Sequence, residues 1–179
     1  MSISVAEALK PFKKPFYIVL VFLLAFILGA WANYNFRSDR TPEQPINFSH
    51  RIHASDNGIP CMYCHSYADR TPSAGVPSVA KCMGCHKSIA TDTPGIAKLT
   101  AYWVEQQPIP WIKVYDVPDF VVFTHKRHIK AGLECQTCHG PVETMERITR
   151  VSSLRMPWCV NCHTEREVEH GRDCWTCHK

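Results

Sequence analysis

The sequence has no cysteine outside one repeated pentapeptide, no basic run interleaved with aromatics after residue 40, and no large excess of either charge. Each absence excludes something. The formal net charge is +4 with histidine neutral, and without a basic patch the chain lacks the electrostatic footprint of a nucleic-acid-binding protein. No cysteine is left over to serve as an isolated thiol. Outside one N-terminal block the chain is ordinary to polar, and its 13 prolines imply many turns and short segments. A length of 179 residues suits one domain with an appendage.

That N-terminal block is the first positive feature. Residues 16–32 read FYIVLVFLLAFILGAWA and carry no charge. A bilayer-crossing helix needs about 17–25 residues, and extension to Tyr34 or Phe36 brings the segment into that range. Lys10, Lys13 and Lys14 precede it, which predicts a cytoplasmic N-terminus. Phe16 and Tyr17 at one end, and Trp31 and Tyr34 at the other, suit the two interfaces. The competing reading is a cleaved signal peptide, with Ala30-Trp31-Ala32 as a small-x-small site. The apolar run exceeds the roughly 7–15 residues of a signal core, which favours a retained anchor. The expected organisation is a tail and transmembrane anchor over 1–36, a polar linker over 37–46, and a domain over 47–179. That domain is expected on the exported side of the membrane.

Every cysteine falls in C-x-x-C-H: Cys61/Cys64/His65, Cys82/Cys85/His86, Cys135/Cys138/His139, Cys159/Cys162/His163 and Cys174/Cys177/His178. This is the attachment signature of c-type haem. Two thiols three positions apart reach the two vinyl groups of one porphyrin edge, and the next histidine turns under the ring to bind iron. Zinc is the main competitor, because the gaps between Cys64 and Cys82 and between Cys138 and Cys159 fit zinc-ribbon spacing. Zinc uses cysteine pairs in twos, so a fifth pair would be orphaned. Neither zinc nor a disulfide scaffold explains a histidine directly after all five pairs. Five covalently attached haem c groups are expected.

The remaining histidines are His50, His53, His125, His128 and His170. Five proximal histidines and five others equal the ten ligands that five bis-histidine haems require. Met156, three residues before Cys159, is the candidate for a methionine sixth ligand, which would raise a potential. Iron with two histidine ligands has no open position, so these sites suit electron transfer, and no catalytic residue is expected in this chain.

The exported part repeats. Phe48-Ser-His50-Arg-Ile-His53 precedes the first motif, and Phe123-Thr-His125-Lys-Arg-His128 precedes the third. Repeat one covers 48–92, repeat two covers 123–166, and 167–179 appends the fifth motif. Two histidines three apart lie near one face of a short helix, so the first is expected to cap its own repeat's haem and the second a neighbouring one. Between the repeats a short helix is expected over 96–105, followed by the extended stretch QPIPWIKVYDVPDF. About 28 residues per haem cannot build an independent core at that scale. The fold class expected is mainly α with much irregular chain, the haems forming the core.

The F-x-H-x-x-H then C-x-x-C-H arrangement is similar to class III multihaem cytochromes of the c3 and c7 type. The whole chain resembles the pentahaem subunit family of alternative complex III, a bacterial quinol:electron-acceptor oxidoreductase. The single anchor, the five motifs, VYDVPDFVVFTHKRH and LRMPWCVNCH carry that resemblance. It implies an electron-transfer role beside an iron–sulfur protein, a polytopic quinol-binding subunit and a monohaem cytochrome c, with quinol bound by another subunit. Two other readings compete. One is a stand-alone, membrane-anchored quinol dehydrogenase feeding periplasmic reductases. The other is a multihaem reductase with an open catalytic haem.

Overall fold

The computed structural model describes the backbone of residues 10–179 and the side chains of residues 15–34 and 40–179. The expected cytoplasmic tail and the side chains of Lys10, Lys13, Lys14 and Phe36 lie outside the described residues. The chain divides into two compact units, 1–39 and 40–179.

The first unit holds helix α1, Lys10–Arg40. Within it Pro15–Tyr34 is 20 residues long and apolar enough to cross a membrane. Over Pro15–Tyr34 the side chains are exposed, Phe22 at 72% and Phe26 at 74%, and this stretch is apolar all round. Backbone hydrogen bonds satisfied inside one helix are what hydrocarbon requires.

The second unit is built from short elements: a six-residue π turn, Arg51–Asp56; α2, Cys61–Cys64; α3, Val79–His86; α4, Pro94–Val104; α5, His125–Lys130; α6, Gln136–His139; α7, Met156–Glu165; and α8, Cys174–Cys177. No strand occurs among the described residues. The unit is mainly helical with long irregular connections, as its proline content requires.

Helix α4 begins at Pro94 rather than at Ile96. The reason is local. Thr93 is extended and its side chain accepts a hydrogen bond from Ile96 N, while Pro94 fills the first turn, where no backbone donor is needed. After Val104, Gln106 adopts φ +53 and the chain leaves in extended form. That stretch is held by the Gln44 side chain, which donates to Ile112 O and accepts from Ile112 N, both at 3.0 Å.

The only sizeable apolar cluster among the described residues is small. Ile46, Met83, Leu99 and Ile109 are buried, with Val79, Ile96, Tyr102 and Trp111 packed around them. Among the described residues no side chain is less than 2% exposed. A unit of this size ordinarily buries well over half of its unfolded surface around a continuous core. This one keeps Ile52, Tyr63, Tyr67, Ile89, Val122 and Val151 exposed. Replacing Leu99, 4% exposed, with alanine is expected to cost about 2–4 kcal/mol in denaturant unfolding. Val104→Ala, at a 73% exposed position one turn on, is expected to cost under about 0.5 kcal/mol.

Candidate haem-binding sites

Each C-x-x-C-H motif lies on a short helix or at its edge, so that its two cysteines are separated by one helical turn. The first and fifth motifs are single turns, α2 and α8, and the third begins with Cys135 as the residue before α6. The second and fourth motifs sit in the longer helices α3 and α7. All ten thiols are free. Burial, followed by facing thiols, pushes Cys138 and Cys159 up. Cys82 and Cys135 are pushed up in the same way.

The histidines show what these helices are arranged to hold. An imidazole that binds iron must present one ring nitrogen with a free lone pair, and the other nitrogen's hydrogen bond decides which. Nδ1 donates to a backbone carbonyl in His53 (Ser49 O, 2.8 Å), His65 (Gly75 O, 2.8 Å), His86 (Ile89 O, 3.0 Å) and His125 (Pro72 O, 2.9 Å). It does the same in His128 (Thr124 O, 2.8 Å), His163 (Gly171 O, 2.6 Å) and His178 (Phe120 O, 3.2 Å). In every case Nε2 is the nitrogen left for a metal.

Ring positions then pair the histidines. His53 and His86 have centroids 6.0 Å apart, His125 and His139 6.3 Å, and His128 and His163 6.1 Å. With metal–imidazole bonds of about 2 Å, two rings opposed across one iron place their centroids roughly 6–6.5 Å apart. His50 has His65 as a neighbour. Burial and then the neighbouring His65 and His53 lower its pKa to about 4. His139 is likewise lowered to about 4 by burial, His125 and His65. Both rings are therefore neutral near pH 7, the form that ligates metal.

The two repeats reproduce this geometry. Phe48 meets His50 edge-on at 4.9 Å and stacks on His53 at 4.3 Å. Phe123 meets His125 edge-on at 4.9 Å and stacks on His128 at 4.6 Å. Each phenylalanine wedges between its two imidazoles and sends them to different partners.

The fifth motif stands apart. His178 stacks on Phe120 at 5.8 Å, and no histidine ring pairs with it among the described residues. His170 has φ +56 and a 75% exposed side chain, and its Nδ1 bonds the Asp173 carboxylate at 2.9 Å. The structure does not bring the His170 and His178 rings together. Met156 is 67% exposed at the first turn of α7.

The residues fit c-type haem. Free thiols at the attachment spacing, imidazoles opposed at iron-spanning distance, Nδ1 tied back to carbonyls, and a domain short of buried side chains converge on that group. The profile of cytochrome c7 and related cytochromes c matches residues 121–179. The chain is also 30% identical over 190 residues to the multihaem cytochrome c subunit of menaquinone reductase from Nitratidesulfovibrio vulgaris (Hildenborough strain). The match covers 92% of this chain and 89% of that protein. The chain belongs to this multihaem cytochrome c family. As a multihaem cytochrome c it is an electron-transport protein, and its attached groups are c-type haems.

Several contributors to these sites carry no motif. The Tyr115 ring lies 4.4 Å from His139, and its hydroxyl donates to Thr149 O at 3.1 Å while accepting from Val151 N at 3.0 Å. Only the aromatic content of VYDVPDF pointed toward it. Ser152 donates to Cys138 O within the third site. Gly171, buried, supplies the carbonyl that orients His163, and a Cβ there would lie 2.8 Å from Val168 Cβ and 3.0 Å from His163 Cβ. Gly171→Ala is therefore expected to displace that carbonyl, lower the melting temperature by several degrees, and shift the electron paramagnetic resonance (EPR) signature of the fourth haem. Gly95→Ala, with nothing within 4 Å of the new Cβ, is expected to leave both unchanged.

Proposed function

We propose that this chain is the electron-transfer subunit of a membrane quinone-linked oxidoreductase, anchored by α1 with its N-terminus inside and carrying five haems on the periplasmic side. Three histidine pairs at 6.0–6.3 Å, their Nδ1 atoms held by carbonyls where the structure shows a bond, are the observation that carries it. Haem with two imidazole ligands supplies reversible one-electron exchange and little else. The residues do the rest. The cysteine pairs fix each group covalently. His65, His86, His139, His163 and His178 serve as proximal ligands, with His50, His53, His125 and His128 opposite the first four. His170 is assigned to the fifth site from the match in number. At the first four sites, both coordination positions taken by protein side chains would leave no room for substrate at the metal.

The arrangement supported by the chain's overall pattern is that of alternative complex III. Quinol is oxidised at a polytopic partner, an iron–sulfur protein stands on the entry side, and a monohaem or soluble cytochrome is the acceptor. The relative's name favours a second reading, in which electrons run the other way and menaquinone is reduced. A free-standing quinol dehydrogenase is the third arrangement.

The test is a native gel of mildly solubilised membranes stained for haem, with the band identified by mass spectrometry. Co-migration with an iron–sulfur protein and a polytopic subunit is expected, as is an intact mass carrying five haems. In the isolated complex, reduction of the haems by added quinol supports the first direction. Their oxidation by added menaquinone, after reduction by a periplasmic cytochrome, supports the second. Migration alone with quinol-oxidising activity would establish the free-standing enzyme.

A further inference from the structure

Let the sites be numbered by their motifs, the first holding Cys61 and the fifth Cys174. Contacts between sites do not follow that order. The first and second are joined through the Arg51–Asp56 turn, because His53 faces His86 while His50, just ahead of the turn, has His65 as a neighbour. Lys81, one residue before the second motif, lies 4.1 Å over the ring of Tyr63 inside the first. The third and fourth are joined in the same way through α5, whose His125 faces His139 and whose His128 faces His163.

The two repeats meet first motif to third motif. Arg51 N donates to Met145 O at 3.0 Å, and Lys126 N donates to Thr71 O at 3.3 Å. These bonds are equivalent. Arg51 and Lys126 each follow the first histidine of a pair, and Thr71 and Met145 each lie six residues beyond a proximal histidine. Contacts that exchange equivalent positions are the mark of an isologous, two-fold joint. At this joint Cys61 faces Cys135, and His65 is a neighbour of His139. The fourth and fifth sites are joined by the His163 Nδ1–Gly171 O bond at the approach to the fifth motif, and Cys177 neighbours Cys159. Further thiol neighbours across motifs are Cys64 with Cys82 and Cys85, and Cys138 with Cys159 and Cys162. Each thiol would hold one edge of its haem, so thiols that neighbour one another across motifs would bring those edges together.

We propose that the five sites form one unbranched file in the order second, first, third, fourth, fifth, with a pseudo-two-fold axis between first and third. The second and fifth sites are the ends, where electrons enter from one partner and leave to another. This rests on the ligand assignment given above and adds the order.

Site-specific potentials of the intact holoprotein test it. Replacing a sixth-ligand histidine with methionine raises that haem's potential. The altered haem is then already reduced when its neighbours titrate, and the extra electron nearby lowers their midpoints. The four variants His50→Met, His53→Met, His125→Met and His128→Met identify the first four haems by their own changed EPR signatures. His53→Met is expected to lower the midpoint of the first haem alone, and His50→Met those of the second and third. A file in chain order predicts the reverse, His53→Met moving the first and third and His50→Met the second only; that result overturns the proposal. If His53→Met changes the signature of no haem, the ligand assignment has failed and the order falls with it. Should the methionine variants fail to mature, Cys82→Ala/Cys85→Ala removes the second haem. A shift confined to the first then supports the order, and a shift of the third overturns it.

Discussion

An imidazole offered to iron has two nitrogens, and only one can face the metal. The other carries a proton that must find an acceptor, or the ring will rotate or tautomerise. In this protein backbone carbonyls supply that acceptor for His53, His65, His86, His125, His128, His163 and His178. Much of the irregular chain exists to put a carbonyl there. Gly75 reaches φ +72 as its oxygen meets His65, and the turn after His163 closes so tightly that only glycine fits at 171. Segments that look like loops are thus the supporting shell of the ligands.

The second consequence is a domain that does not pack around its own side chains. Its buried apolar cluster is confined to the neighbourhood of Met83 and Leu99. Elsewhere aromatics meet imidazoles: Phe48 and Phe123 between the paired histidines, Tyr115 on His139, and Phe120 on His178. Such contacts restrict ring rotation and shield the ligands, which suits a carrier that must change charge without rearranging.

Much of this is legible without a structure. The five motifs, the spare histidines and the F-x-H-x-x-H repeat are local patterns whose chemistry follows from spacing, and the mainly helical, irregular fold follows from the prolines and the thin apolar content. The helix expected over 96–105 starts two residues earlier, because Thr93 caps it and Pro94 opens it. Tyr115 was hidden because a hydroxyl that bridges Thr149 and Val151 announces itself only after the chain has folded back. Counting histidines placed His170 among the sixth ligands, and its ring turns to Asp173. Number constrains stoichiometry and says nothing of direction.

By itself, then, the sequence determined the chemistry of this protein: which thiols stand at the haem-attachment spacing, which histidines follow them, that a long apolar segment precedes the domain, and that two units share one design. Those properties depend on residues a few positions apart. Which site neighbours which was decided only by tertiary structure. The joint between repeats is made by backbone bonds between residues far apart in the chain, Arg51 with Met145 and Lys126 with Thr71. Nothing in the spacing of motifs along the chain encodes that crossing, because it arises from two like surfaces meeting about a local two-fold axis.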